Sequence, residues 1–142
     1  MQKFKYLQHT ADAKFQAFGK TVEEAFCHAA LAMVSLMWDP EKIEAKIELN
    51  LCVTGRDEKQ LLLNFLQDIL FKLDTKMFLL KTVKKICLIE ENNQLTLKAV
   101  LAGDTFSERY ETFGEVKAAT YHEMEIAKNH DVYVMVQVVV DM

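Results

Sequence analysis

The sequence predicts one α+β domain in which two main helices pack on a mixed or antiparallel β-sheet. Runs with strict two-residue alternation outnumber runs with helical spacing, and the two kinds do not alternate regularly along the chain. The length of 142 residues is typical of a single domain. One proline and four glycines leave no stretch suited to a disordered linker. We therefore expect residues 1–142 to form one compact unit.

Composition narrows the class of protein further. Hydrophobic residues make up 51% and charged residues 27%, as in soluble globular proteins. The net charge of -4 argues against a general nucleic-acid coat, which needs a surplus of Lys and Arg. No Cys-x-x-Cys pair is present, so we expect Cys27, Cys52 and Cys87 to be reduced, mostly packed thiols. The start of the chain has no apolar leader, and no run is long enough to span a membrane, which predicts a cytoplasmic protein.

The first third of the chain predicts a strand and then a capped helix. Phe15 to Phe18 has strand character and ends at Gly19. Thr21 and Glu24 have the spacing of a capping box, whose side chains accept hydrogen bonds from amides at the helix start. Apolar residues then recur at helical spacing until the Asp39-Pro40 step, which ends the helix. These residues are Val22, Ala25, Phe26, Ala29, Ala30, Met33 and Met37.

The clearest strand is Ile43 to Val53, where apolar and polar residues alternate. Its apolar face includes Ile47 and Leu49, which we expect to be buried. Beyond Gly55 a second helix begins, with Asp57 or a neighbour as its cap. Its apolar stripe should cover the sheet and contains Leu61, Leu62, Phe65, Leu66, Ile69, Leu70 and Leu73.

The pattern of the second half of the chain predicts mainly strands. The run from 78 to 89 should form a hairpin with the run from 95 to 101 through a turn at Asn92-Asn93. Gly103-Asp104 should break this hairpin, and a loop should surround Gly114. Two last strands, 116–126 and 132–140, complete the prediction.

The end of the last strand is a candidate metal site. Asp141 and Met142 follow the apolar run directly, so an Asp side chain and a terminal carboxylate would lie on adjacent residues. Such hard oxygen donors suit Mg²⁺, Ca²⁺ or Mn²⁺. Asp12 could join them if the first and last strands lie close together. The alternative from the residues alone is a solvated acidic strand end, with the segment from His9 to Asp12 forming a simple turn.

Lys117 and His122 are further candidates. His122 shares the parity of the apolar residues around it, so we expect it to be buried near the site, as a core residue or a support of the metal ligands. Lys117 lies on the opposite face and could form a cross-strand ion pair or meet a phosphate or an acidic partner. Gly-rich phosphate loops, serine-nucleophile elbows and His-Glu-x-x-His metal motifs are all absent from the sequence.

Three blocks together resemble the archease family. They are His9-Thr10-Ala11-Asp12 with the strand and helix that follow it, Glu115 to His122, and the valine-rich strand that closes in Asp141. The resemblance implies a cytoplasmic, non-enzymatic cofactor of the tRNA-splicing RNA ligase, which uses GTP to join RNA ends. It implies that such a protein promotes guanylylation and multiple turnover of the ligase, and that it meets RNA only through the ligase.

The resemblance also assigns roles to residues. It implies a divalent metal ion, Ca²⁺, Mg²⁺ or Mn²⁺, held by Asp12, Asp141 and Met142. It leaves His9, Lys117 and His122 as outer supports of the site or partner contacts. Two other functions stay open on the residues: a metal-dependent phosphohydrolase or nuclease, and a structural adaptor that binds no metal.

Overall fold

The computed structural model describes residues 1–8, 12–129 and 133–142. Two α-helices and seven strands fall within these ranges, and a short 3₁₀ helix spans Pro40–Lys42. The helices are α1 (Val22–Val34) and α2 (Glu58–Lys76). The strands are β1 (Phe4–Leu7), β2 (Ala13–Gly19), β3 (Ile47–Gly55), β4 (Phe78–Glu91), β5 (Gln94–Thr105), β6 (Ala118–Asn129) and β7 (Tyr133–Asp141).

The strands form two antiparallel sheets. One has the order β1-β2-β7-β6, and the other has the order β3-β5-β4. The α+β class is confirmed, but the expectation of one sheet is corrected to two. The chain passes from the four-stranded sheet to the three-stranded sheet through α1. It returns to the four-stranded sheet at β6.

The two helices lie against both sheets and fill the space between their inner faces. Helix α1 contacts β2 and β7 on one side and β4 on the other, while α2 contacts β3 and β6. The rings of Phe26 and Phe65 stack between the helices with centroids 6.3 Å apart. This shared apolar core explains why both helices carry broad apolar stripes.

Both helices begin where their capping residues indicate. The Thr21 hydroxyl accepts a hydrogen bond from the amide of Glu24 at 3.1 Å, and the Glu24 carboxylate accepts one from the amide of Lys20 at 2.9 Å. Asp57 caps α2 by accepting from the amide of Gln60 at 2.8 Å. The predicted caps are confirmed, because local side-chain chemistry decides where a helix begins.

The predicted burial of Ile47 is wrong. Its side chain is 37% exposed, and Leu49 is only half-buried, whereas Leu51 is 2% exposed. Strand β3 lies at the edge of its sheet, and Ile47 pairs with Gly103, which offers no side chain to pack against. The alternating run also starts as a strand only at Ile47, so its first four residues lie outside the sheet.

The predicted break at Gly103-Asp104 is also wrong. The Asn92-Asn93 turn is confirmed, with positive φ angles of 53° and 61° that suit a tight hairpin, but β5 continues to Thr105. A Cβ atom at Gly103 would lie 2.0 Å from the carbonyl oxygen of Leu79. This glycine therefore permits close contact between strands and does not end one.

Two of the three cysteines are less buried than predicted. Cys52 and Cys87 are exposed, because they lie on outward positions of β3 and β4. Cys27 is half-buried on α1, and burial raises its thiol pKa to about 11, helped by the nearby carboxylates of Glu24 and Glu23. All three are free thiols, as expected. Neither helix is long and apolar enough to cross a lipid bilayer within the part of the chain that the structure describes.

Candidate functional site

The register of β2 and β7 places Asp12 and Asp141 at the same end of the four-stranded sheet. Strands β2 and β7 pair Ala13 with Val140, and this register continued by one residue places Asp12 opposite Asp141. On the other side of β7, Asp141 pairs with Ala118. We call Asp12, Asp141 and Met142 the carboxylate corner. Strand β2, the second in the chain, lies between β1 and the last strand, β7, so the N-terminal strands and the last strand belong to one sheet, as the sequence argument required.

The main chain of Lys117 holds the corner in place. Its amide donates a 2.7 Å hydrogen bond to the carbonyl oxygen of Asp141. Its side chain is exposed and forms no ion pair with any residue in the described ranges. The expected cross-strand ion pair is therefore not found there, and the amide supplies the local contact.

By alternation along β2 and β7, Asp12 and Asp141 belong to the outer face of the sheet, together with Lys14 and Val139. An outer face is usually wet, yet Val139 is 1% exposed and Gln137 is 6% exposed. An irregular segment of β6 shields these residues. The register passes from Thr120 opposite Val139 to Glu125 opposite Gln137, so four residues face a single position on β7. We call residues 121–124 the β6 bulge.

Hydrogen bonds hold the β6 bulge against the outer face. Lys14 Nζ lies 2.9 Å from Oε1 of Glu123, and Gln137 Nε2 donates to the Glu123 carbonyl oxygen at 2.8 Å. Gln16 in turn donates to Gln137 at 2.9 Å. Glu123 adopts a φ of 52°, an uncommon conformation that these contacts fix. The bulge therefore forms an ordered rim opposite Val138, three residues along β7 from Asp141.

The predicted burial of His122 is wrong. Its side chain is 64% exposed, and Nε2 lies 3.0 Å from a carboxylate oxygen of Glu123. Simple parity fails because the inward face changes across the bulge, from Ala119 opposite Val140 to Ile126 opposite Val136. His122 thus lies on the exposed rim near the corner and not in the core.

A long connection joins β5 to the corner. Residues 106–117, which we call the strap, contain no helix or strand. The amide of Phe113 donates to the carbonyl oxygen of Met37 at 2.9 Å. A Cβ atom at Gly114 would lie 2.3 Å from the carbonyl oxygen of Leu36 and 3.7 Å from Cε of Met142. Glycine at this position lets the strap pass close beside the corner.

The other end of the strap is fixed by a polar network that sequence reasoning missed. Tyr110 is 7% exposed, and its hydroxyl donates to Asp104 at 2.6 Å. Arg109 donates to both carboxylate oxygens of Glu44 at 3.2 and 3.0 Å. The hydroxyl of Tyr110 holds the pKa of Asp104 below its usual value, and Arg109 does the same for Glu44. The network joins residues 44, 104 and 109–110, and no local pattern reveals such a long-range contact.

The carboxylate corner offers hard oxygen donors, the ligand type that Mg²⁺ and Ca²⁺ prefer. Asp12 lines a groove of about 480 Å³ together with Tyr6, Leu7, Gln8, Ala13, Lys14 and Leu36. The ranges that the structure describes contain no group of three His, Cys, Asp or Glu side chains placed to hold a metal. Two carboxylates would leave most coordination positions to water or to phosphate oxygens. His9 lies outside the described residues.

Comparison with known proteins identifies the family. The model of the Archease protein family matches residues 4–142. The chain belongs to the archease family. The protein archease of Methanosarcina mazei is 39% identical, over 99% of this chain and 96% of its own. The protein archease of Methanothermobacter thermautotrophicus is 37% identical over the full length of both chains.

Solved archease structures agree with the fold. The solution structure of protein 1598 from Methanobacterium thermoautotrophicum superposes with a TM-score of 0.86 at 35% identity, covering 100% of both chains. A crystal structure from Thermotoga maritima, named as an archease and possible chaperone, gives a TM-score of 0.62 at 19% identity. It covers 97% of this chain and 96% of its own, and this likeness supports the archease fold alone.

Proposed function

We propose that this archease activates the tRNA-splicing RNA ligase through a divalent metal ion at the carboxylate corner. The protein acts in the cytoplasm as a cofactor that promotes ligase guanylylation and multiple turnover, and it contacts RNA only through the ligase. The observation that carries the proposal is the register of β2 and β7. Continued by one residue beyond Ala13 and Val140, it sets Asp12 opposite Asp141, in a chain that matches the archease family over residues 4–142.

The residues of the corner have distinct tasks in this proposal. Asp12 and Asp141 supply the charged oxygen donors, and Met142 adds a terminal or main-chain oxygen. The amide of Lys117 fixes the main chain of Asp141. A bound Ca²⁺, Mg²⁺ or Mn²⁺ ion would neutralise phosphate charge during nucleotidyl transfer on the ligase. Few protein ligands suit this task, because phosphate oxygens need open positions.

The rim beside the corner supports the same function. Lys14 and Glu123 form an ion pair that holds the β6 bulge over Val139. The exposed imidazole of His122 and the exposed ammonium of Lys117 lie on the segment that flanks Asp141. Both groups carry chemistry suited to phosphate or carboxylate recognition. We therefore assign them to contact with the ligase.

A ligation assay tests the proposal. Limiting ligase is incubated with GTP, a divalent metal salt and RNA ends bearing a 3′-phosphate and a 5′-hydroxyl, with and without this protein. We expect more ligated product per ligase molecule and faster incorporation of labelled GMP into the ligase. Asp12→Asn should abolish both effects, and Asp74→Asn, which removes an exposed carboxylate on α2, should retain them.

The same assay separates the other two functions. RNA cleavage or phosphoester hydrolysis by this protein alone, dependent on added metal, would identify a hydrolase. Stimulation of the ligase that survives Asp12→Asn and metal removal would identify an adaptor. Ligase turnover that is unchanged by the wild-type protein at limiting metal would contradict the proposal itself.

A further inference from the structure

The outer face of the three-stranded sheet is a second exposed surface, far from the corner along the chain. Strand pairing places residues of β3, β5 and β4 side by side in two adjacent rows. One row is Asn50, Val100 and Lys85, and the other is Cys52, Lys98 and Cys87. We call these six residues the lysine face. All of them are exposed except Val100, which is half-buried.

The lysine face forms a broad, shallow groove. Its six residues line a depression of about 760 Å³, which Lys84 also borders. The inner face of the same sheet carries Leu51, Leu97 and Leu101, which are at most 2% exposed and pack in the core. The groove therefore lies on the side of the sheet that faces away from α2.

The charge on this face is concentrated and unbalanced. Lys85 and Lys98 lie on neighbouring strands in adjacent rows, a diagonal relation with Cβ atoms roughly 7 Å apart. Neither forms an ion pair within the described ranges, whereas Lys84 pairs with Glu48 at 2.7 Å. The other four residues of the face are uncharged. Two like charges are thus brought together in a chain whose net charge is -4.

The chemistry of the face favours one class of ligand. Two ammonium groups call for anions, and their spacing suits two carboxylates on an extended chain. Val100 and the thiols of Cys52 and Cys87 offer apolar contact between these charges. Single-stranded RNA would call for aromatic side chains and more cations, and the six residues include no aromatic residue and no arginine.

We infer that the lysine face docks an extended acidic segment of a partner protein. Carboxylates of the segment pair with Lys85 and Lys98, and its aliphatic side chains cover Val100 and the two thiols. This surface goes beyond the proposed function, because it is separate from the corner. Lys98 lies seven residues before Thr105, the end of β5, which is about 23 Å of strand. The strap then connects β5 to the corner. Docking and activation are thereby assigned to separate surfaces.

The exposed thiols provide a direct test in the intact protein. The probe is a capped peptide of about eight alternating Glu and Val residues, roughly 26 Å long when extended. Alkylation of Cys52 and Cys87 by iodoacetamide is followed by mass spectrometry as the peptide is added. We expect both rates to fall about tenfold at saturation. A control peptide with Gln in place of Glu should protect neither thiol.

Matched variants separate specific docking from general charge attraction. Lys85→Glu combined with Lys98→Glu should weaken peptide binding about tenfold or more, since two exposed ion pairs are replaced by repulsion. Lys20→Glu combined with Lys59→Glu makes the same charge change near the two helix starts and should leave binding unchanged. Thiols that stay fully reactive at the highest peptide concentration, or equal binding by both double variants, would overturn the inference.

The same thiol-protection experiment with single-stranded RNA and with the ligase identifies the kind of molecule that binds the lysine face. Protection by single-stranded RNA and not by the peptide would overturn the assignment to a protein. Protection of both thiols by the ligase would identify it as the partner, a step that rests on the proposed function. Ligase that binds and is stimulated while both thiols stay reactive would overturn docking at this face. A failure of the ligase to bind the wild-type protein would contradict the proposed function. The peptide experiment would still test whether the lysine face binds an acidic segment.

Discussion

Burial along β3 is graded residue by residue. On its inward face Ile47 is 37% exposed, Leu49 is half-buried and Leu51 is 2% exposed. The three side chains are similar in hydrophobicity, so the gradient reflects the partner on the next strand and the cover from the core. Gly103 opposite Ile47 leaves that end of the face open.

Substitutions along this face should show the same gradient. Leu51→Ala should cost about 2 to 5 kcal/mol of unfolding free energy, because it leaves a cavity in the core. Leu49→Ala should cost about 1 to 2 kcal/mol, in proportion to its smaller buried area. Ile47→Ala, the control, should cost about 0.5 kcal/mol or less. Denaturant unfolding measures all three, and equal costs would show that the burial is assigned wrongly.

His122 and Met124 form a second residue-level pair within the β6 bulge. Met124 is 5% exposed and packs in the core, whereas the His122 side chain is 64% exposed. His122→Ala should change the unfolding free energy by about 0.5 kcal/mol or less. Met124→Ala should cost about 2 to 5 kcal/mol. Thermal melts of the two variants measure these differences in stability. A strongly destabilised His122→Ala protein would show that the imidazole contributes to the stability of the fold.

At the scale of elements, the strap connects a polar network to the corner. Tyr110, Arg109 and Asp104 fix its first half, and Gly114 and Lys117 lie against the corner at its far end. The segment has no helix or strand to hold it, so these contacts determine its path. Loss of the network should therefore loosen the strap before it disturbs the sheets.

The strap should respond to pH through Asp104. Because its pKa is lowered in the folded state, its contribution to stability is present at neutral pH and is lost as the pH falls through the folded pKa. Tyr110→Phe removes the hydroxyl that is the largest single cause of this lowered pKa. The melting temperature of the variant should lie below that of the wild type at pH 7, and the gap should narrow below about pH 4.

Tyr121→Phe is the control for this pH series, because Tyr121 is 49% exposed and lies on the bulge. It should melt like the wild type across the series. A gap between Tyr110→Phe and the wild type that stays constant, or widens, as the pH falls would show that the Asp104 contact does not contribute as described.

At the scale of the whole molecule, the carboxylate corner combines residues that are far apart in the sequence. Asp12 and Asp141 are 129 positions apart in the sequence (141 − 12), and only the pairing of β2 with β7 brings them together. Such a site depends on the complete fold. Two acidic residues on opposite positions of paired strands are an unfavourable combination in the absence of a cation.

This arrangement predicts coupled behaviour of the two carboxylates. Asp12→Asn and Asp141→Asn should each weaken Mn²⁺ or Ca²⁺ binding by more than about tenfold, and the double variant should bind little worse than either single variant. Both single variants should melt at or slightly above the metal-free wild-type temperature. Calorimetric titration and thermal melts test these points, with Asp74→Asn as control. Fully additive losses would mean that the residues act at separate sites.

The sequence alone was enough to predict the α+β class, both helix caps, the hairpin turn and the archease resemblance. These features depend on short-range chemistry: apolar spacing, capping side chains and the positive φ angles that asparagine tolerates. Only the tertiary structure revealed the division into two sheets, the bulge that turns His122 outward and the long-range network of Tyr110. A bulge changes which side of a strand faces the core, and contacts between distant residues depend on how the elements pack, so neither follows from local periodicity.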